Sequence, residues 1–171
     1  AAVDHIGRNL AAGRGGKVAY IDDSGSCTYA QLSERVDRAA NALRSLGIKP
    51  EERIAIAMLD SADWVAVFLG AIKAGIVPVA LNTLLTAADY EYQLKDSGAK
   101  ALFVSDPLLK NFNTGIKVVP QSELNALPPI IKNMRAYRRH EIEPQKEAGN
   151  PADLVRARVA EFVGTKPNGT A

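Results

Sequence analysis

The 171-residue sequence predicts an α/β fold: a parallel sheet built from βαβ units with flanking helices, followed by a mainly helical tail. Three observations carry that prediction. From Arg53 to Val104 short apolar runs alternate with segments of helical period, in the order strand, helix, strand, helix, strand. The run RIAIAML at 53–59 is apolar at nearly every position, as a strand buried on both faces must be. The connecting segments have the length of βαβ crossovers, and each helix carries its own start and stop residues.

The elements follow in order. Lys17 to Ile21 reads as a short strand, Asp22 to Ser26 as a turn rich in Asp, Ser and Gly, and Cys27-Thr28 as the return, so this stretch predicts a hairpin. Thr28 with Gln31 has capping-box spacing: the hydroxyl accepts from a first-turn N–H while the amide reaches back. Leu32, Val36, Ala39, Ala40, Leu43 and Leu46 then form one apolar stripe. Gly47 supplies the left-handed residue after it, and Pro50 blocks continuation. After the 53–59 run, Asp60 or Ser61 caps a helix carrying Trp64, Val67, Phe68, Ala71 and Ile72, which Gly75 ends. Val77 to Ala80 is the next strand. Thr86 with Asp89 is a second capping box, Tyr90 and Leu94 lie one turn apart, Gly98 ends that helix, and Lys100 to Val104 is a further strand.

Beyond Ser105 the character changes. Asp106 to Glu123 is loop-like with one strand candidate at Ile116 to Val119. Pro128-Pro129 opens a helix through Tyr137, and Asn150-Pro151 opens another whose apolar face is Leu154, Val155, Val159 and Phe162.

Composition bounds the function classes. A chain 47% hydrophobic and 23% charged suits one soluble domain with a core. A net charge of +2 gives no electrostatic case for nucleic acid or an anionic membrane as partner. The single cysteine, Cys27, excludes an internal disulfide and fits a reducing compartment. No apolar run approaches the roughly 20 residues of a membrane span, and Ala1 to Leu10 holds charges and no apolar signal segment. The expected location is the cytoplasm.

The candidate chemical motifs do not assemble. Gly13-Arg14-Gly15-Gly16-Lys17 resembles a phosphate loop, but Val18 follows the lysine where Ser or Thr is needed, and the loop precedes a strand instead of opening a helix. It reads as a flexible connection. His5 and His140 have no companion ligands at metal spacing, and Cys27 has no nearby histidine to activate it. Arg135, Arg138, Arg139 and His140 read as a solvated helix end, and 164–170 as a glycine cap and loose tail. Spacing alone therefore yields no catalytic, cofactor-binding or metal-ligating residue.

A family resemblance reaches further. Thr28-Tyr29-Ala30-Gln31-Leu32 after a hairpin resembles the first core motif of the adenylate-forming superfamily, and FLGAIKAGIVPV at 68–79 resembles the second. The structural family-motif positions are Thr28, Tyr29, Leu32, Lys73, Ala74, Gly75, Pro78 and Asn82. GRGGKVAYIDD and VFLGAIKAGIVPVALNTLLTAADYEYQLKDSGAKAL are similar to the benzoate-CoA ligase branch, and the resemblance covers about residues 9–109. It implies residues 1–109 as a partial N-terminal subdomain of an adenylate-forming enzyme, with 110–171 unassigned helix and loop.

The resemblance also implies a chemistry. A carboxylate attacks the α-phosphate of ATP, giving an acyl-adenylate, and coenzyme A thiol then displaces AMP; Mg²⁺ supports the charge. The family's phosphate loop, ribose-binding aspartate and C-terminal catalytic lysine have no counterpart in these 171 residues. Thr83-Leu84-Leu85 follow Asn82 where many relatives carry an arginine for coenzyme A phosphate. The expectation is thus a ligase N-terminal piece that is inactive alone and needs no cofactor of its own, whose parent family uses ATP, Mg²⁺ and coenzyme A on aromatic carboxylates. The alternative is an interaction module that self-associates or docks through exposed apolar surface.

Overall fold

The computed structural model describes residues 4–126. They lie within a compact unit, Ala1–Ile130. A second unit, Ile131–Ala171, is outside the described residues, as are the helices expected over 128–137 and 150–164, the basic cluster and the tail.

The chain starts with a helix absent from the sequence reading, α1 (Asp4–Ala11). Asp4 sits in its first turn and pairs with Arg8 one turn on, while Ile6 is buried and Leu10 packs beside it. The hairpin then forms from β1 (Val18–Asp22) and β2 (Gly25–Thr28), with Asp22 opposite Gly25. Its turn is tighter than the sequence suggested, because the Asp22 carboxylate accepts from the Ser24 N–H at 2.9 Å.

Thr28 caps α2 (Tyr29–Ser45) with the full reciprocal box: its N–H donates to Gln31 Oε1 and its hydroxyl accepts from the Gln31 N–H. Ser61 caps α3 (Ala62–Ala74), accepting from the Trp64 N–H, and Gly75 ends it at φ 78. Thr86 and Asp89 cap α4 (Ala87–Ser97) by a second box.

Four strands form the main sheet: β3 (Arg53–Ala57), β4 (Val77–Ala80), β5 (Ala101–Val104) and β6 (Lys117–Pro120). Their order is β4-β3-β5-β6, and all pairs are parallel. The last strand, which continues the sheet past residue 109, is the candidate at 116–119 shifted by one residue. Two 3-10 helices, Asp106–Asn111 and Gln121–Ala126, flank it where the sequence read as loop.

Strand alternation divides the core. Ile54, Ile56 and Phe103 face α2 and α3, joining Leu43, Val67 and Ala71. Ala55, Ala57, Leu102 and Val104 face the other way, under Tyr90 and Leu94 of α4. A third cluster seats α1 and the hairpin on α2 and α3 through Ile6, Cys27, Leu32 and Val36. The helices α2 and α3 approach so closely that a Cβ at Gly70 would lie 2.7 Å from the Ala39 Cβ and 3.0 Å from the Val36 carbonyl. Only glycine fits there. No helix among the described residues is long and apolar enough to cross a membrane.

Pro78 lies on an edge strand, and its position is specific. The Val77 N–H donates to Glu52 O and the Leu81 N–H to Ile56 O, both at 2.9 Å, so the odd-numbered residues of this strand face β3. Residue 78 faces outward, and its missing donor interrupts the free edge without costing a ladder bond.

Candidate functional site

In an open parallel sheet, ligands bind beyond the carboxyl ends of the strands, where the chain order reverses. Here the chain leaves β3 for β4 on one side and returns to β5 on the other, so the reversal lies between β3 and β5. That crevice is filled by the protein's own polar groups. The Leu59 N–H donates to Ser105 Oγ at 3.0 Å, and the Ser105 hydroxyl donates to Gln121 Oε1 at 2.7 Å. Gln121 Nε2 in turn reaches Ser61 Oγ at 3.4 Å and Asp63 Oδ2 at 3.3 Å. Ser105 is fully buried and its hydroxyl is satisfied on both sides. The 3-10 turn after β6 therefore plugs the crevice with Gln121.

The N-terminus of α3 beside it is also committed. The Ala62 N–H donates to Asp22 Oδ2 at 2.8 Å, so the hairpin turn supplies a carboxylate to the positive end of the helix. That contact, with the Ser24 hydroxyl, holds the Asp22 carboxyl below the usual carboxylate range. Asp63 adds a second carboxylate and pairs with Arg35 of α2 at 3.1 Å. Two carboxylates at one helix end repel a phosphate.

A shallow cleft of about 210 Å³ runs between α2 and α3, lined by Gln31, Glu34, Arg35, Arg38, Asp63 and Leu124 among others. Its guanidinium groups each face a carboxylate: Arg35 the Asp63 side chain and Arg38 the Glu34 side chain, the latter at 2.6 Å. Gln31 is held in the capping box.

The glycine-rich stretch at 13–17 is pinned rather than flexible. The Gly13, Arg14 and Lys17 N–H groups donate to the Leu10, Asn9 and Arg14 carbonyls, and Arg14 Nε donates to Asn9 Oδ1. Donors used this way do not converge on an anion. His5 packs edge-on against Tyr29, with ring centroids 5.9 Å apart. Burial pushes the Cys27 thiol up, so it is an inert core group. Among the described residues, no group of three or more His, Cys, Asp or Glu comes together to hold a metal ion.

The eight family-motif positions fall into two places. Thr28, Tyr29 and Leu32 form the first turn of α2, with Leu32 buried against the hairpin. Lys73, Ala74, Gly75, Pro78 and Asn82 run from the end of α3 along β4 into the next loop. Lys73 does more than complement a helix end: it forms a partly buried ion pair with Asp37 of α2, tying the two helices together. Asn82 shapes the loop at the carboxyl end of β4. Its side chain accepts from the Leu84 N–H at 2.9 Å, and its carbonyl accepts from the hydroxyl of buried Tyr90 at 2.9 Å. The two groups of motif residues do not meet in one reactive constellation. Sequence reasoning missed Asp22, Asp37, Ser105 and Gln121, whose partners lie 16 to 60 positions away; no local periodicity marks them.

Comparison with known proteins places this scaffold. The family model described as AMP-binding enzyme matches residues 8–161, farther along the chain than the two core motifs alone. The benzoate–CoA ligase of Thauera aromatica is 54% identical over 124 residues, covering 72% of this chain and 24% of that protein. The 4-hydroxybenzoate–CoA/benzoate–CoA ligase of Rhodopseudomonas palustris is 49% identical over 109 residues, covering 64% and 20%. A crystal structure of a benzoate CoA ligase from Burkholderia xenovorans superposes with a TM-score of 0.68 at 42% identity, over 75% of this chain and 29% of that one. The chain thus spans about a quarter or less of the length of these curated relatives. The parallel sheet of β4-β3-β5-β6, the capped helices on it and the family match over 8–161 lead to one assignment: this chain belongs to the AMP-binding enzyme family.

Proposed function

We propose that the chain is the N-terminal region of a benzoate-type aryl-CoA ligase, contributing scaffold to the enzyme and no reacting group. The whole enzyme would activate an aromatic carboxylate with ATP to an acyl-adenylate and pass the acyl group to coenzyme A. The observation that carries this reading is the 54% identity to a benzoate–CoA ligase over 124 residues.

The residues present do not fit the phosphates of ATP or their Mg²⁺. The N-termini of α2, α3 and α4 are closed by Thr28, by Ser61 with Asp22, and by Thr86 with Asp89. The Gly13–Lys17 donors are spent on carbonyls. The nucleotide chemistry is therefore assigned to parts of the ligase outside this chain, and the chain alone is read as inactive.

Two assays test the reading. The purified chain should give no benzoate-dependent ATP–pyrophosphate exchange; robust exchange would overturn the inactivity. A chimera in which this chain replaces the matching N-terminal quarter of the Thauera aromatica enzyme should form benzoyl-CoA. A folded chimera that forms none counts against the ligase role.

A further inference from the structure

The two faces of the main sheet are covered unequally, and the difference is greatest beside β4. Val77 is 41% exposed at the start of that strand, and by alternation with Val79 its side chain lies on the face that α4 covers. Val79 and Leu85 are only partly buried against the second core cluster. Leu84, held in place by the Asn82 side chain, is 89% exposed. A leucine fixed in solvent next to partly buried apolar neighbours is an unfilled packing position. The adjoining edge does not suit an added strand, because residue 78 faces outward and lacks its N–H.

We propose that this shoulder, formed by Val77, Val79, Leu84 and Leu85, is the seat on which the rest of an aryl-CoA-ligase polypeptide packs, through side chains and not through strand addition. The inference rests on the functional reading above. The occupant follows from the relatives. In the Burkholderia xenovorans structure the same unit is 29% of its chain, and in the Thauera aromatica enzyme 24%, so in both it carries a much larger remainder. The shoulder is where the described residues leave apolar side chains fixed and uncovered.

The test is Leu84→Asp, made both in the 171-residue chain alone and in the chimera with the Thauera aromatica remainder. Ile21→Asp, on the hairpin and 74% exposed, is the control. Alone, neither substitution should move the melting temperature. In the chimera Leu84→Asp should lower it by roughly 3 °C or more while Ile21→Asp leaves it unchanged. Equal melting of the Leu84→Asp and parent chimeras overturns the proposal. A dimer of the isolated chain that Leu84→Asp dissolves, seen by light scattering, also overturns it, because the seat would then belong to a second copy. Should the chimera fail to fold, the tagged chain is co-expressed with the separate remainder. Capture of the remainder, weakened about tenfold by Leu84→Asp, supports the seat, and no capture overturns it. A chimera that folds but makes no benzoyl-CoA refutes the functional reading, while its melting comparison still decides the seat.

Discussion

The two faces of the sheet solve the same burial problem differently. On one face α2 and α3, of 17 and 13 residues, cover Ile54, Ile56 and Phe103 and close against each other at Gly70. On the other, the 11-residue α4 and a 3-10 turn cover a floor of Ala55, Ala57, Leu102 and Val104. Its rim of Val79, Leu85, Leu108, Phe112, Ile116 and Val118 is left partly buried. The first face is rigid because its helices are locked backbone to backbone and by the Lys73–Asp37 pair. The second is held by tyrosine geometry: Tyr90 stacks on Phe112 at 4.4 Å and anchors the Asn82 carbonyl. The tight face supports the fold, and the loose face is the one left to receive further polypeptide.

Isomeric deletions on the two faces sharpen this contrast most. Ile54 and Leu102 are both fully buried on neighbouring strands. Each change to Ala should cost about 2–5 kcal/mol in urea unfolding, with Ile54→Ala the larger by about 1 kcal/mol because its site is less free to collapse. Equal costs would break the comparison.

Gly70→Ala comes next. With a Cβ 2.7 Å from that of Ala39, α2 and α3 must separate, costing about 1–3 kcal/mol despite the gain in helix propensity. A stabilised variant would refute the close approach. On the second face, Tyr90→Phe removes the bond to the Asn82 carbonyl and should cost about 1 kcal/mol. Hydrogen exchange should report faster opening at 83–86 and no change in α2.

The smallest effect is that of pH. Asp22, Asp89 and Asp106 have carboxyls held below their ordinary value of 3.8 by the Ala62 N–H, the Thr86 hydroxyl and the Ser122 hydroxyl respectively. A depressed folded-state value means the unfolded chain takes up protons first as pH falls. The stabilisation is present above 3.8 and fades as pH drops through the folded values below it. Asp22→Asn should flatten the acid limb of a melting-temperature profile and loosen the hairpin; an unchanged profile would remove Asp22 as the hairpin's tie to α3.

Much of the fold was legible because its signals are local. Capping boxes at Thr28 and Thr86, stop glycines at 47, 75 and 98 and the apolar run from Arg53 lie within a few residues of the structure they specify. The 3-10 turns escaped because their i to i+3 pattern is too short for a periodic signal. The candidate site was less legible, and Lys73 illustrates why. Its place at a helix end is readable from Gly75 two positions on, whereas its partner Asp37 is 36 positions away on another helix.

By itself the sequence determined the βαβ order, the helix ends and the family, since propensity, capping and motif are properties of neighbouring residues. Only the tertiary structure decided that Gln121 and Ser105 plug the switch-point crevice and that Asp22 closes α3. It alone placed Pro78 on an outward edge and left Leu84 uncovered. Those outcomes depend on which elements pack together, and the free energy of packing resides in contacts between residues far apart in the chain.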